Sequence, residues 1–334
     1  MARTIRVAAV QVESRNGEIA GNLARAEPYV VEAARRGADL VVCPEFLAAG
    51  YIYDESIWSS AEPEGGPTEA WLSRVARANR VFVGATYLRV VGDDFYNTFA
   101  LADRDGAIVG RVSKESLPAF EGWYFKSCDL PKYIDTELGR IGVGICHDNH
   151  TARFLRHAIA ERPDLIVMPH SAPCGVGFRA IIRDGLTDIA PFYSSALGVP
   201  VVLVNKVGPG GKTPLPVAPR IRIGFDFPGL STVVDSDGRV VERLADREGV
   251  VVADVALDPD RRRTPPAPSG YWSSKPRRFG YLTAAVFIAL ERAARRVYAR
   301  SRERVAAARQ YRNVVDRSER FTSGSEPSTL RSSR

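Results

Sequence analysis

Residues 132–150 read KYIDTELGRIGVGICHDNH, and the fold turns on how this stretch is parsed. Glu137–Gly139 forms a turn between two apolar arms, which predicts a hairpin. The second arm, GRIGVGIC, is a run of small and branched residues too short for a helix and reads as a buried strand. Polar chemistry is then crowded onto its end: Cys146, His147, Asp148 and His150. The carboxyl edge of an α/β sheet commonly opens a pocket. A cysteine there is either a reactive group at that pocket or a small apolar core residue.

The same punctuation extends outward in both directions. IRVAAVQV (5–12), DLVVCPEF (39–46), VFVGATYLRV (81–90), YNTFALAD (96–103), DLIVMPHS (164–171), VPVVLVNKVG (199–208) and GVVVADVAL (249–257) read as strands. STVVDSDGRVVERL (231–244) is a hairpin with Asp-Gly at its turn. Helical spacing appears over 22–36, 69–79, 153–162 and 180–197. Strands alternating with helices, with hairpins between, predict a layered α/β domain with a mixed sheet over residues 1–258. Residues 259–280 are rich in Pro and Arg and read as an arm. Residues 281–313 read as one helix with an apolar stripe of Leu282, Val286, Leu290, Ala293, Ala294 and Val297. The arm and helix make a second region, 259–317, and the polar stretch 318–334 reads as a disordered tail.

Bulk properties narrow the function classes. The chain has 334 residues, 45% hydrophobic and 25% charged, ordinary for a globular protein with a full core. The net charge of +7 is unevenly placed. Residues 259–334 hold 18 Lys and Arg against 6 Asp and Glu, so the body before them is mildly acidic. That body gives no electrostatic reason to expect nucleic acid. The four cysteines, at 43, 128, 146 and 174, have no CxxC spacing, which favours a reducing compartment. The N-terminus enters a strand pattern without a secretory leader, and no apolar run approaches the roughly 18 residues of a membrane span. A cytoplasmic protein is expected.

Three residues at strand ends suggest chemistry. Glu45 follows a run too apolar to bury a carboxylate without a partner or a purpose. Lys114 sits in the loop after a hairpin strand, where the ordinary expectation is a solvated ammonium. Together with Cys146 they form a hydrolytic set. A thiolate attacks, a buried carboxylate takes the thiol proton, and an ammonium with a backbone N–H stabilises the oxyanion.

PEFLAAGY (44–51), KESLPAFEGWYF (114–125) and GRIGVGICHD (139–148) occur in that order. With PDLIVMPHSAP (163–173), ALGVPVVLVNKVG (196–208) and FPGLSTVVDSDGRVV (227–241), the chain resembles the nitrilase, or carbon–nitrogen hydrolase, superfamily over residues 5–257. The resemblance implies a four-layer α-β-β-α sandwich, here with a C-terminal helical extension, and cofactor-independent cleavage of a non-peptide C–N bond. It implies Glu45 as general base, Lys114 as oxyanion stabiliser and Cys146 as nucleophile. Glu121 would orient the base or substrate, and His147 would lend its backbone N–H. Two departures stand out. Lys-x-His becomes Lys114-Glu115-Ser116, and the usual Pro-Glu pair after the cysteine becomes Ala152-Arg153.

Alternatives remain open at this stage. Cys146, His147 and His150 match no zinc spacing, and neighbours on a strand face apart, so no metal is expected. A Cys–His dyad would need His147 or His150. His150, His170, Tyr51, Tyr53, Trp123 and Asn205 are candidates for the substrate pocket, with packing or buried hydrogen bonding as their other reading. His157 reads as structural or exposed. The resemblance favours an amide or N-carbamoyl substrate, a nitrile being the alternative, and a non-catalytic scaffold is the competing class. The apolar stripe of the basic C-terminal helix is expected to pack on the body or on a partner subunit, and the resemblance implies a homodimer or higher homo-oligomer; contact with an anionic membrane surface is the second reading.

Overall fold

The computed structural model describes residues 2–118, 121–175, 179–215, 218–274 and 281–311. The proposed tail, 318–334, and the last residues of the arm lie outside these. Two six-stranded sheets carry the core. The first runs β15(Gly249–Leu257), β1(Arg3–Gln11), β2(Leu40–Val42), β3(Phe82–Val91), β4(Asp94–Ala102), β5(Ile108–Ser113). The second runs β14(Val240–Arg243), β13(Thr232–Val234), β10(Val201–Val204), β8(Leu165–Pro169), β7(Gly139–Val143), β6(Tyr133–Thr136). A small sheet joins β11(Val207–Leu215), β12(Ala218–Pro228) and β9(Cys174–Gly175).

The strand period of two sorts the side chains into layers. On β1, Val7 and Ala9 join Leu40 and Val42 of β2 in a core that also holds Ile141, Val143, Val167, Val202 and Val204 of the second sheet. The two sheets therefore pack face to face. The intervening residues Ala8, Val10 and Val41 turn the other way, onto α1(Ile19–Arg35) and α2(Pro67–Asn79). Likewise Ile166, Met168, Val201 and Leu203 meet α3(Ala152–Glu161) and α4(Arg179–Leu197). Both faces of the central strands are covered, which is why they read as continuous apolar runs rather than alternating ones. The result is the expected four-layer α-β-β-α sandwich.

Several sequence readings are corrected. The strand read over 39–46 ends at Val42, and the backbone then leaves the sheet. The strand read over 199–208 is broken at Asn205 and Lys206, between β10 and β11. The single helix read over 281–313 is α5(Tyr281–Arg300) followed, after Ser301, by a second helix over 302–311. Its apolar stripe is also misread. Of its residues Leu282, Val286, Ala293 and Val297 are exposed and Ala294 is buried, while Glu291 and Tyr298, which lie outside it, are buried as well. The arm is not a free linker. Ala152 N–H donates to Tyr271 O at 2.7 Å and Ser273 N–H to His150 O at 2.9 Å, clasping the segment after Cys146. No helix among the described residues is long and apolar enough to cross a membrane.

Candidate active site

The first sheet delivers three ionisable side chains to one buried place. After β2, Glu45 N–H donates across to His170 O of the second sheet at 3.1 Å. The next residue, Phe46, takes φ +49 and its N–H meets Thr86 Oγ1 at 2.6 Å. A left-handed non-glycine residue costs of order 1–3 kcal/mol and persists where its surroundings fix it. Lys114 leaves the end of β5 with its N–H on Asn97 O at 2.8 Å. It is fully buried, contrary to the solvated expectation. Its Nζ lies 2.8 Å from Glu45 Oε1 and 2.7 Å from Glu121 Oε2. Asn97 Nδ2 also donates to Glu45 Oε1 at 2.8 Å, and Tyr53 OH donates to Glu121 Oε1 at 3.1 Å. Glu45 Oε2 is buried with no hydrogen-bond partner among the described residues.

Burial and charge act against each other here. Burial opposes the ammonium of Lys114, but Glu121 and Glu45 outweigh it and hold the group above its ordinary range. Burial pushes Glu121 up to about 7; Lys114 pulls it down and Glu45 pushes it further up. Glu121 thus holds its proton closer to neutral pH than an ordinary carboxyl does.

Cys146 does not end a strand. β7 stops at Val143, and residues Cys146–His150 form a single 3₁₀ turn with Cys146 at φ +48. Cys146 and His147 are therefore neighbours on a turn, not strand neighbours facing apart. Asp148 fixes the turn: its Oδ2 accepts from Ile145 N–H at 3.3 Å, and its Oδ1 from Ser116 N–H at 2.7 Å and Glu115 N–H at 3.2 Å. One carboxylate thereby ties the cysteine turn to the segment leaving Lys114. Gly144 is required by close approach, since a Cβ would come within 2.0 Å of Asn149 Oδ1 and 2.6 Å of the Phe154 ring. The Cys146 thiol is pushed well above its ordinary range by burial, then by Glu45. Lys114 and a hydrogen bond from Ser171 N–H act the other way. The charges of Glu45, Lys114 and Glu121 all act on this sulfur.

The imidazoles are held neutral. His147 stacks on Phe287, centroids 5.3 Å apart, and its Nε2 lies 2.9 Å from Tyr271 OH. His150 sits between His147 and His170, with centroids 6.2 and 5.9 Å away. Asn149 Nδ2 donates to Gly144 O at 2.8 Å and meets His170 Nε2 at 3.0 Å, which places the His170 proton on Nδ1. Burial lowers all three, His150 to about 4 and the others well below the usual range. His157 lies elsewhere, between Glu115 and Glu161, which raise it to about 9. Among the described residues no group of three His, Cys, Asp or Glu side chains gathers as metal ligands.

The other pocket candidates divide. Tyr51 and Tyr53 share a hydroxyl–hydroxyl hydrogen bond, which together with Tyr53–Glu121 joins them to the buried cluster. Tyr51 also packs edge-on against Phe227 at 5.5 Å, and Trp123 joins the same aromatic cluster. Asn205 is fully engaged by backbone: its Oδ1 accepts from Ala172 N–H at 3.0 Å and its Nδ2 donates to Gly229 O at 2.9 Å. It clamps loops rather than offering itself to a ligand. Lys206, beside it, was passed over in the sequence. It is fully buried, its Nζ has no hydrogen-bond partner among the described residues, and it lies 5.5 Å from the Phe227 ring centre. Burial lowers it to about 7, against the charge of Glu45. The signal was available: an ammonium directly after the apolar run VVLV needs an explanation.

In sequence and in fold the chain is similar to known proteins. The sequence model of the family described as carbon-nitrogen hydrolase matches residues 6–261. N-carbamoylputrescine amidase of Arabidopsis thaliana is 26% identical over 254 residues, covering 72% of this chain and 83% of its own. A carbon-nitrogen hydrolase from Helicobacter pylori G27 superposes with a TM-score of 0.69 at 20% identity, over 78% of this chain and 91% of its own. A mutant of the amidase from Nesterenkonia sp. AN1, which carries the acetamide moiety of fluoroacetamide on its active-site cysteine, gives a TM-score of 0.63 at 20% identity. That match covers 75% of this chain and 90% of the amidase.

Proposed function

The chain belongs to the carbon–nitrogen hydrolase family and is a carbon–nitrogen hydrolase; on that footing we propose that it cleaves an amide or N-carbamoyl C–N bond through a thioester on Cys146. The carrying observation is the buried Glu45–Lys114–Glu121 cluster, with Glu45 Oε2 unpaired and all three charges acting on the Cys146 sulfur.

The resting thiol is protonated, because burial and Glu45 both raise it. It needs a base at the moment of attack rather than a standing thiolate. Glu45 Oε2 takes the thiol proton as sulfur bonds to the carbonyl carbon. Lys114 and the His147 N–H stabilise the oxygen that gains the negative charge. As the C–N bond breaks, Glu45 passes its proton to the departing nitrogen, which leaves as ammonia or amine. Water then attacks the thioester, Glu45 takes one proton from it, and that proton returns to sulfur as the C–S bond breaks. Glu121, bonded to Lys114 and Tyr53, positions the ammonium. The acetamide adduct on the cysteine of the Nesterenkonia amidase supports a covalent route.

A panel of amides, N-carbamoyl amines and nitriles scored for ammonia release tests the reading. Amides or carbamoyl compounds are expected to turn over. Cys146→Ala is expected to lower the rate by about 10⁴-fold or more with an unchanged melting temperature. Full activity in that variant, or turnover of nitriles alone, would overturn the proposal.

A further inference from the structure

A hollow of about 640 Å³, lined by none of Glu45, Lys114 and Cys146, lies between α3 and α5. Each helix offers an arginine pair spaced i, i+3 on one face: Arg153 and Arg156 from α3, Arg292 and Arg295 from α5. Four guanidinium groups therefore line the hollow, against the single carboxylate of Glu291. Glu291 is already engaged, with Arg153 Nη1 at 3.3 Å and Tyr271 OH at 2.5 Å. Arg292 and Arg295 have no ion pair among the described residues. Ala284, Ala285 and Ile288 give the hollow an apolar wall. We propose that this hollow binds a small phosphate monoester with an apolar body, and that its occupation is felt at the cysteine turn.

Guanidinium forks match phosphate oxygens bidentately, and jaws on two helices suit a group with several acceptor oxygens. The apolar wall takes the carbon body of the ester. The path inward is short. Tyr271 OH joins Glu291 and lies 2.9 Å from Nε2 of His147, the residue after Cys146. A phosphate that draws Arg153 away from Glu291 changes the charge that Tyr271 meets, and His147 moves with it.

The test uses the full chain with phenyl phosphate as the free ester and phosphatidate vesicles as the lipid source of the same monoester group. Calorimetry at physiological salt should show one saturable site for phenyl phosphate, with a Kd of roughly 1 mM or tighter. Arg292→Ala with Arg295→Ala should weaken it about tenfold or more. Binding of vesicles instead, with the same arginine dependence, upholds the site and assigns the ester to a lipid headgroup. Binding of neither, or binding indifferent to the arginines, overturns it. Saturating ligand should also change the rate of Cys146 alkylation by iodoacetamide about twofold, about 0.4 kcal/mol in barrier. Tyr271→Phe should abolish that change while preserving binding; an unchanged rate in the unsubstituted protein overturns the coupling. Binding measured in Cys146→Ala separates the site from the proposed hydrolysis, since it requires no turnover.

Discussion

The two sheets are built alike and end differently. The strand ends of the first carry charge: Glu45 after β2 and Lys114 after β5, with Glu121 against them. Those of the second carry groups that burial drives toward neutrality: Cys146 after β7, His170 after β8 and Lys206 after β10. In the same dry interior two fully buried lysines thus shift in opposite directions. Lys114 keeps its charge because two carboxylates lie close by, at 2.8 and 2.7 Å. Lys206, with no hydrogen-bond partner among the described residues, falls to about 7. Burial alone does not decide a charge; the partners supplied with it do.

The contrast is tested most forcefully by the same substitution on both sides. Lys114→Met leaves two buried carboxylates without their ammonium and should cost roughly 3–5 kcal/mol in urea unfolding, with loss of turnover. Lys206→Met removes a cation that burial already disfavours and should cost less than about 1 kcal/mol. Equal losses would mean that the two environments are not distinct.

Protonation separates the two sides further. In the folded chain Lys206 sits at about 7 against 10.5 for the ordinary group, so the unfolded state binds more protons between those values. Stability should therefore rise with pH from about 7 to 10.5, and Lys206→Met should remove that rise in melting temperature. Glu121 has the opposite sign. Its pKa rises from 4.5 to about 7, so the folded state holds the extra proton and stability should fall across that window. Glu121→Gln should flatten the fall, seen as a melting-temperature difference from the parent that changes between those limits.

A modest effect lies outside both clusters. His157, raised from 6.5 to about 9 by Glu115 and Glu161, contributes stability present below 6.5 and lost as pH rises through about 9. His157→Gln should cost about 1 kcal/mol at pH 6 and little at pH 10, by urea titration at both.

The strands were legible because a sheet covered on both faces demands continuous apolar runs, and VVC, LIVM and VVLV announce them. Glu45 and Cys146 were legible as polar residues breaking such runs, although their catalytic roles rest on the proposal above. The turns that present them were not. Phe46 and Cys146 both hold positive φ, and no residue preference foretells a left-handed phenylalanine or cysteine. Distant residues fix both conformations: Thr86 holds one turn, and Ser116 holds the Asp148 carboxylate that closes the other. The face of α5 was misread for a related reason. The helix is apolar on two sides, and the side it buries includes Glu291 and Tyr298, whose partners Arg153 and Asp94 lie far back in the chain. Periodicity locates a stripe; it does not say which stripe finds a partner.

Gly122, beside Glu121, faces the methyl of Ala294 so closely that a Cβ added to it would sit 3.0 Å away. The helix that presses on this turn is among the last parts of the described chain to leave the ribosome. During synthesis the carboxylates, the ammonium and the thiol all emerge before their brace does. A nascent chain at that stage holds all four groups but lacks the packing of Ala294 on the turn that carries Glu121.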